Sequence, residues 1–332
     1  MFAGIPILRR VCLVIFLVVV WAALPLSQRA FAQQLRKVRY GVTVSPSHLP
    51  VWVAKEAGLF AKYYLELEPI HIRGGALITM AIMSGGLQFS GAGAESVVAA
   101  RVQGGDVVLL ACPVDTDPVY LVARPEISSP RQLKGKATAV TRLGSTTHFH
   151  LRAALKFAGL DPEKDLTILQ LGSGGDIAMA LDIGRISAAA LTFRFALPFI
   201  TRGWPVLVDL TKTDFAYPSS CVTSSRAFVR AEPKLVENFL RAYVRGIELT
   251  KKDPAFAARV LSKAYQENDM TLAKKTVEAY SPLFKSAPYV PDSGIETVLK
   301  ELAARRPVPA EFIGHAELFR DNRPLEAVLA ER

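Results

Sequence analysis

Six short turns gather most of the residues in this chain that could hold a small polar molecule. Ser45-Pro46-Ser47-His48-Leu49-Pro50 offers two hydroxyls and an imidazole, with Trp52 one helical turn further on. Arg73-Gly74-Gly75 leaves backbone amides open to close approach, and Gly91-Ala92-Gly93-Ala94-Glu95 sets small residues beside a carboxylate. Leu143-Gly144-Ser145-Thr146-Thr147-His148 strings hydroxyls together, and Gly172-Ser173-Gly174-Gly175 and Thr192-Phe193-Arg194 complete the set. Gly, Ser and Thr are also ordinary helix caps, so capping alone accounts for any single turn. A shared ligand site follows if all six face one cleft, because free N–H groups and the helix dipole favour an anion there. The candidate binding residues are therefore Ser45, Ser47, His48, Trp52, Gly74, Gly75, Gly93, Ala94, Glu95, Gly144, Ser145, Thr146, Thr147, Ser173, Thr192, Phe193, Arg194 and Tyr217. Gly144 to Thr147 suits a carboxylate or sulfonate best. Arg194, Arg73 and Arg142 are candidate counter-ions, and Trp52, Phe193 and Tyr217 are candidates for stacking, although large aromatics usually serve the core.

The same inventory argues against catalysis. The sequence has no G-x-S-x-G, Walker loop or G-x-G-x-x-G, and its five His include only one close pair, His148 and His150. Glu95 with His48 could be drawn as an acid/base pair, but nothing in the sequence makes them neighbours. The expectation is a binding protein rather than an enzyme, without cofactor or metal.

The elements that would position these turns alternate strand and helix. Strands are expected at 38–44, 65–72, 89–92 and 107–112, with helices at 50–60, 76–83 and 94–103 between them. The pattern restarts after Leu133-Lys134-Gly135-Lys136, with strands at 136–140, 166–171 and 188–191 and helices at 145–158 and 176–183. Such alternation predicts βαβ units and a mainly parallel sheet in each of two lobes. The phrase Met80-Ala81-Ile82-Met83-Ser84-Gly85-Gly86-Leu87 resembles Ala180-Leu181-Asp182-Ile183-Gly184-Arg185-Ile186, which supports two similar lobes. Helices expected at 233–250, 254–265, 271–283 and 293–304 would pack back on the first lobe. That makes lobe 1 discontinuous: 33–115, lobe 2 at 116–217, and lobe 1 completed by 218–332. Crossing segments near 113–120 and 216–221 would form the hinge.

Ahead of all this, Arg9-Arg10 precedes an apolar run from Val11 to Leu24 and an Ala30-Phe31-Ala32 site. This is a secretory signal peptide, residues 1–32, because the run falls short of the roughly 20 apolar residues a membrane span needs. The exported protein would keep no stable membrane insertion. The chain carries 40 basic and 30 acidic residues, but the basic ones occur only as short pairs. They read as solvated helix faces, and no nucleic-acid partner is expected. Cys112 and Cys221 remain after processing. An oxidising compartment permits a bridge, yet buried free thiols are the simpler expectation from how often Cys is merely buried.

Trp52-Val53-Ala54-Lys55-Glu56-Ala57-Gly58-Leu59-Phe60-Ala61-Lys62 resembles the W-x-A-x-E-x-G-L-F-x-K phrase of the nitrate/sulfonate/taurine (SsuA-like) class of ABC-transporter substrate-binding proteins, which share a fold with NMT1/THI5-like proteins. Leu133-Lys134-Gly135-Lys136 and the stretch from Ala227-Phe228-Val229-Arg230 to Phe239-Leu240-Arg241-Ala242 are similar to that class as well. The resemblance implies a two-lobed α/β periplasmic binding fold of type II, a monomer that closes on a small anion, organic carboxylate or heteroaromatic, and delivery to an ABC permease and ATPase. Its alternatives are a sensory receptor using the same cleft, or a pyrimidine-precursor enzyme, whose Cys-rich motif has no counterpart here. Tyr64 stands where the family usually has Gly, and Gln88 and Ser187 replace an Asp usual in both repeats.

Overall fold

The computed structural model describes residues 34–215, 217–218 and 220–331, so the signal peptide expected at 1–32 and its expected cleavage site lie outside the described residues. The chain runs β1 (Arg36–Val42), α1 (Leu49–Glu56), α2 (Leu59–Lys62), β2 (Leu65–His71), α3 (Gly75–Met83), β3 (Phe89–Ala92), α4 (Ala94–Val102) and β4 (Val108–Ala111). It continues through β5 (Val119–Ala123), β6 (Lys136–Val140), α5 (Thr146–Phe157), β7 (Leu166–Gln170), α6 (Gly174–Asp182), β8 (Ala188–Thr192), α7 (Phe193–Thr201) and β9 (Val206–Asp209). Strand β10 (Cys221–Ser224) leads into α8 (Arg226–Ala231), α9 (Pro233–Lys252), α10 (Pro254–Tyr265), α11 (Met270–Tyr280), α12 (Asp292–Ala303) and α13 (Arg323–Leu329).

One sheet has the order β2-β1-β3-β10-β4. β1 runs parallel to β3, while β10 is antiparallel to both β3 and β4. In the other half β6 and β7 pair in parallel, and β5 lies antiparallel between β8 and β9. Ser187 N–H donates to Ala137 O (2.8 Å) and Thr138 Oγ1 to Ala188 O (2.8 Å), joining β6 to β8. This half thus holds a three-stranded antiparallel sheet, β8-β5-β9, and a parallel pair, β6-β7, linked by those two bonds. The strands are therefore mixed in direction rather than mainly parallel, since β10 in one half and β5 in the other run opposite to their neighbours.

The phrase around Trp52 has a physical reason. Gly58 takes φ 68° between α1 and α2, a conformation in which Gly escapes the Cβ penalty. Tyr64, where the family has Gly, also adopts a left-handed φ of 61°. Gln88 Oε1 accepts from Arg39 N–H at 2.9 Å, so this substitution holds a strand end. Phe239 of α9 stacks on Phe89 (centroids 4.0 Å apart) and Tyr40 (5.9 Å), which ties the tail helices to the first sheet. Gly246 lets α9 lie directly on α1, because a Cβ there would collide with Pro50 O and come within 2.8 Å of the Ala54 Cβ. Gly246→Ala is expected to cost roughly 1–3 kcal/mol through forced overpacking, read as a lower urea midpoint. An unchanged midpoint would mean the helices part freely.

The two cysteines are bridged. Cys112 and Cys221 form a disulfide with Cα atoms 4.1 Å apart, which overturns the expectation of free thiols. The reason is register: β10 lies beside β4 with Val222 opposite Ala111, so the two Cys face each other where the strands meet the crossing segments. Those segments also bond one another. Tyr217 N–H donates to Asp115 O (2.7 Å), and Thr116 Oγ1 to Phe215 O (3.0 Å).

Candidate ligand-binding site

A cavity of about 500 Å³ lies between the two sheets, a size typical of small-molecule sites. The first half contributes residues 42–45 after β1, 71–75 after β2, and Gly91 and Gly93 around the end of β3. The second contributes Thr141, Ser145 to Thr147, Gly172 to Gly174, Ala190 to Thr192 and Phe195. Asp117 and Ser220 come from the crossing segments, and Ala264, Tyr265 and Gln266 from the end of α10.

Backbone amides are one resource of this wall. The first N–H groups of a helix have no partner within it, and neither Gly74 before α3 nor Ser145 before α5 supplies a side-chain cap. Gly74 has φ 99°, a backbone setting that only Gly adopts without strain. The hydroxyls predicted to meet a ligand are partly committed inside the turn. Ser145 Oγ donates to Arg142 O (2.7 Å), and Thr147 Oγ1 accepts from Thr141 N–H (2.9 Å). The loop's own amides are committed too: Leu143 N–H donates to Gln170 Oε1 (2.9 Å), Gly144 N–H to His148 Nδ1 (2.9 Å) and Ser145 N–H to Arg142 O (3.3 Å).

Charge is arranged across the cleft rather than along one side. Arg73 Nη1 is 3.6 Å from Asp176 Oδ2, and Arg142 Nε donates to Arg73 O at 3.3 Å. Arg194 pairs with Glu267 at 2.9 Å and lies over the rings of Phe195 and Tyr265. Asp117 Oδ1 accepts from Ser47 Oγ at 2.5 Å. Glu95 is buried, which raises its carboxyl to about 7 despite hydrogen bonds from Ser96 and Thr146. Burial lowers His150 on the wall to about 3, so it is a neutral imidazole at physiological pH.

The residues expected from sequence divide into two groups. Ser45, Gly74, Gly75, Gly93, Ser145, Thr146, Thr147, Ser173 and Thr192 line the cavity. The others stand behind it. Ser47 holds Asp117, and His48 bonds Thr43 Oγ1 (3.1 Å) and packs against Gly91. Glu95 and His48 thus have separate partners. Trp52 stacks on His71 (centroids 5.6 Å) and donates Nε1–H to Tyr265 Oη (3.2 Å). Ala94 is buried, Phe193 packs against the core of the first half, and Gly144 and Glu95 line a second cavity beside α3, α4 and α12. Tyr217 is fully buried and stacks on Phe149 (4.6 Å), with its hydroxyl 3.4 Å from Thr146 Oγ1. Arg194 is engaged by Glu267 rather than free for a ligand. Sequence reading missed His71, Asp117, Thr141, His150, Phe195, Tyr265 and Gln266; of these only Thr141 lies in one of the strand-to-helix turns it searched, just ahead of the Gly and hydroxyl residues that drew attention. Among the described residues, no group of three His, Cys, Asp or Glu is placed to hold a metal.

Residues 45–257, which include most of this wall, match the family model described as NMT1/THI5 like. The chain belongs to the NMT1/THI5-like family. This family member is 23% identical over 267 residues to YtlA of Bacillus subtilis (strain 168), covering 78% of the chain and 79% of YtlA. It is similar in structure to the alkanesulfonate-binding protein SsuA from Xanthomonas axonopodis pv. citri bound to MOPS, with a TM-score of 0.70 at 18% identity, covering 85% and 98% of the two chains. The periplasmic nitrate-binding protein NrtA from Synechocystis PCC 6803 superposes with a TM-score of 0.71 at 15% identity, covering 90% and 89%. These likenesses make the fold of the NMT1/THI5-like chain that of the periplasmic binding proteins, two lobes with a cavity between. No helix among its described residues is long and apolar enough to cross a membrane.

Proposed function

We propose that this NMT1/THI5-like protein is the solute-binding component of an ABC importer, exported to the periplasm after cleavage of residues 1–32. It acts as a monomer that captures a small molecule between its lobes and hands it to a permease and ATPase. The lobe boundaries are those read from sequence: 33–115 with 218–332, and 116–217. One observation carries the reading: helix starts from both halves, α3 from one and α5 and α6 from the other, line a single cavity. A ligand touching both walls favours the closed arrangement over the open one, and the hydrogen-bonded crossing segments at 113–120 and 216–221 form the hinge. A wall of hydroxyls and helix starts suits the binding of a small polar molecule.

A thermal-shift screen of residues 33–332 tests this. The panel holds nitrate, bicarbonate, alkanesulfonates, taurine, aromatic carboxylates and pyrimidines. A ligand at one hundred times its Kd stabilises the fold by about 2.7 kcal/mol, a rise of roughly 5 °C for a chain of this size. Thr146→Val should reduce that rise, since Thr146 Oγ1 sits on the wall and bonds Glu95 across the cleft at 3.0 Å. A response that ignores Thr146 would move the binding site elsewhere.

A further inference from the structure

A second cavity, of about 420 Å³, lies where α3 and α4 meet the end of α12 and the turn that starts α5. Gly144 of that turn lines it, whereas Ser145, Thr146 and Thr147 line the first cavity. Its body is apolar. Phe149, Val298 and Leu302 are buried on its wall, and Met80, Met83 and Leu143 stand beside them with 58%, 42% and 52% of their surface exposed. Apolar residues exposed singly are ordinary, but three of them on one concavity form a patch that calls for an occupant. Methionine in particular adapts its shape to whatever packs on it.

The charge on this wall indicates what that occupant carries. Arg305 and Arg306 follow the last turn of α12, and both line the cavity. Each gives one N–H to a main-chain carbonyl, Arg305 Nε to Glu301 O and Arg306 Nη2 to Ala99 O, both at 3.4 Å. Among the described residues neither has a carboxylate within ion-pair reach. Glu301 is taken by Arg152 (3.9 Å) and Lys156, and Glu95, the carboxylate on this wall, accepts from Ser96 and Thr146. Burial and the neighbouring Arg305 lower the Arg306 guanidinium from its ordinary value, as for a cation with no anion beside it. Cations are at home at a helix C-terminus. That role leaves Arg306 Nε buried with nothing to bond, a cost that needs a reason.

We propose that this cavity is a second binding site, for a medium-chain carboxylate whose head is held by Arg305 and Arg306 and whose chain lies along Met80, Met83 and Leu302. The assignment does not depend on what the first cavity takes. Leu143 and Phe149 belong to the stretch 116–217, and the methionines and arginines to the rest of the chain. An occupant here therefore touches both halves and biases them toward the arrangement that it bridges.

Titration calorimetry of residues 33–332 with octanoate, butyrate and 1-octanol tests the assignment. Octanoate is expected to bind about 10-fold or more tighter than butyrate, because its longer chain leaves water. It should also exceed 1-octanol by about 10-fold or more, because only the acid makes charge-assisted bonds. Replacing Arg305 and Arg306 together by glutamine should erase the advantage over 1-octanol. Met83→Glu, at an exposed position that accepts a charge, should weaken octanoate by about 10-fold or more by setting a like charge beside it. Far-UV circular dichroism checks that both variants fold. No octanoate binding, or binding no tighter than that of butyrate or 1-octanol, overturns the assignment. Octanoate binding that neither variant changes overturns it too and moves the acid to the first cavity.

Discussion

Replacing Cys112 and Cys221 together by serine is expected to lower the melting midpoint by about 10 °C. The bridge joins residues 109 apart in sequence, and a crosslink that closes so long a loop removes much of the freedom of the unfolded chain. The loop-entropy relation gives about 4–5 kcal/mol for a loop of roughly 100 residues, and each kcal/mol moves the midpoint by about 2–3 °C in a chain of this size. The bridge ties β4 to β10, the last strand before the chain leaves for the second half and the first after it returns. The double variant should therefore keep its fold but open more readily at this junction. Differential scanning calorimetry of the oxidised protein, the reduced protein and the double variant checks this. A double variant that melts with the oxidised protein would mean the unfolded chain is already held compact in this region.

The second large effect belongs to Glu95. Its carboxyl is raised from 4.5 to about 7, chiefly by desolvation, so the folded state holds that proton more tightly than the unfolded chain does. The stability linked to it is complete below pH 4.5 and drains away as pH rises through 7. The difference amounts to roughly 3 kcal/mol once the group has ionised. Glutamine keeps the shape and stays neutral throughout. The unfolding free energy of the wild-type protein, taken relative to Glu95→Gln, should therefore fall by roughly 3 kcal/mol between pH 4 and pH 8. Urea titrations at a series of pH values measure it. Other titrating groups, including the buried His48 and His150 that burial holds near 3, cancel in the comparison. A flat difference would show that the carboxyl finds water or a cation in the unliganded protein.

Much of the architecture was legible because β-strand and helix follow one another with different hydrophobic periods. The strands at 89–92 and 136–140 and the helix at 254–265 fall where the pattern put them. What the pattern could not deliver was pairing between distant segments. No strand is expected from sequence at Val119–Ala123 or Cys221–Ser224, where the expected crossings at 113–120 and 216–221 end, yet both are strands, because Asp115, Thr116, Asp117 and Pro118 mask the onset of one and Pro218 that of the other. The disulfide was illegible for the same reason: nothing local says that β10 lies beside β4. The site divides in the same way. Turn residues such as Gly74, Thr146 and Ser173 are visible as a helix start following a strand. Asp117 lies on a crossing, and Tyr265 and Gln266 close a tail helix, where Gln266 turns left-handed at φ 52°, a feature no composition rule announces.

The position of β10 bears on the order in which the molecule can be completed. A chain delivered N-terminus first presents β1 to β4 early, but the place between β3 and β4 stays vacant until Cys221–Ser224 emerges, 109 residues after Cys112. Until then those two strands show open hydrogen-bonding edges to each other and cannot be joined into one sheet. The first half is thus unable to lock ahead of the second. The first sheet of a chain built this way closes only once the returning strand has crossed, after every strand of the second half has been made.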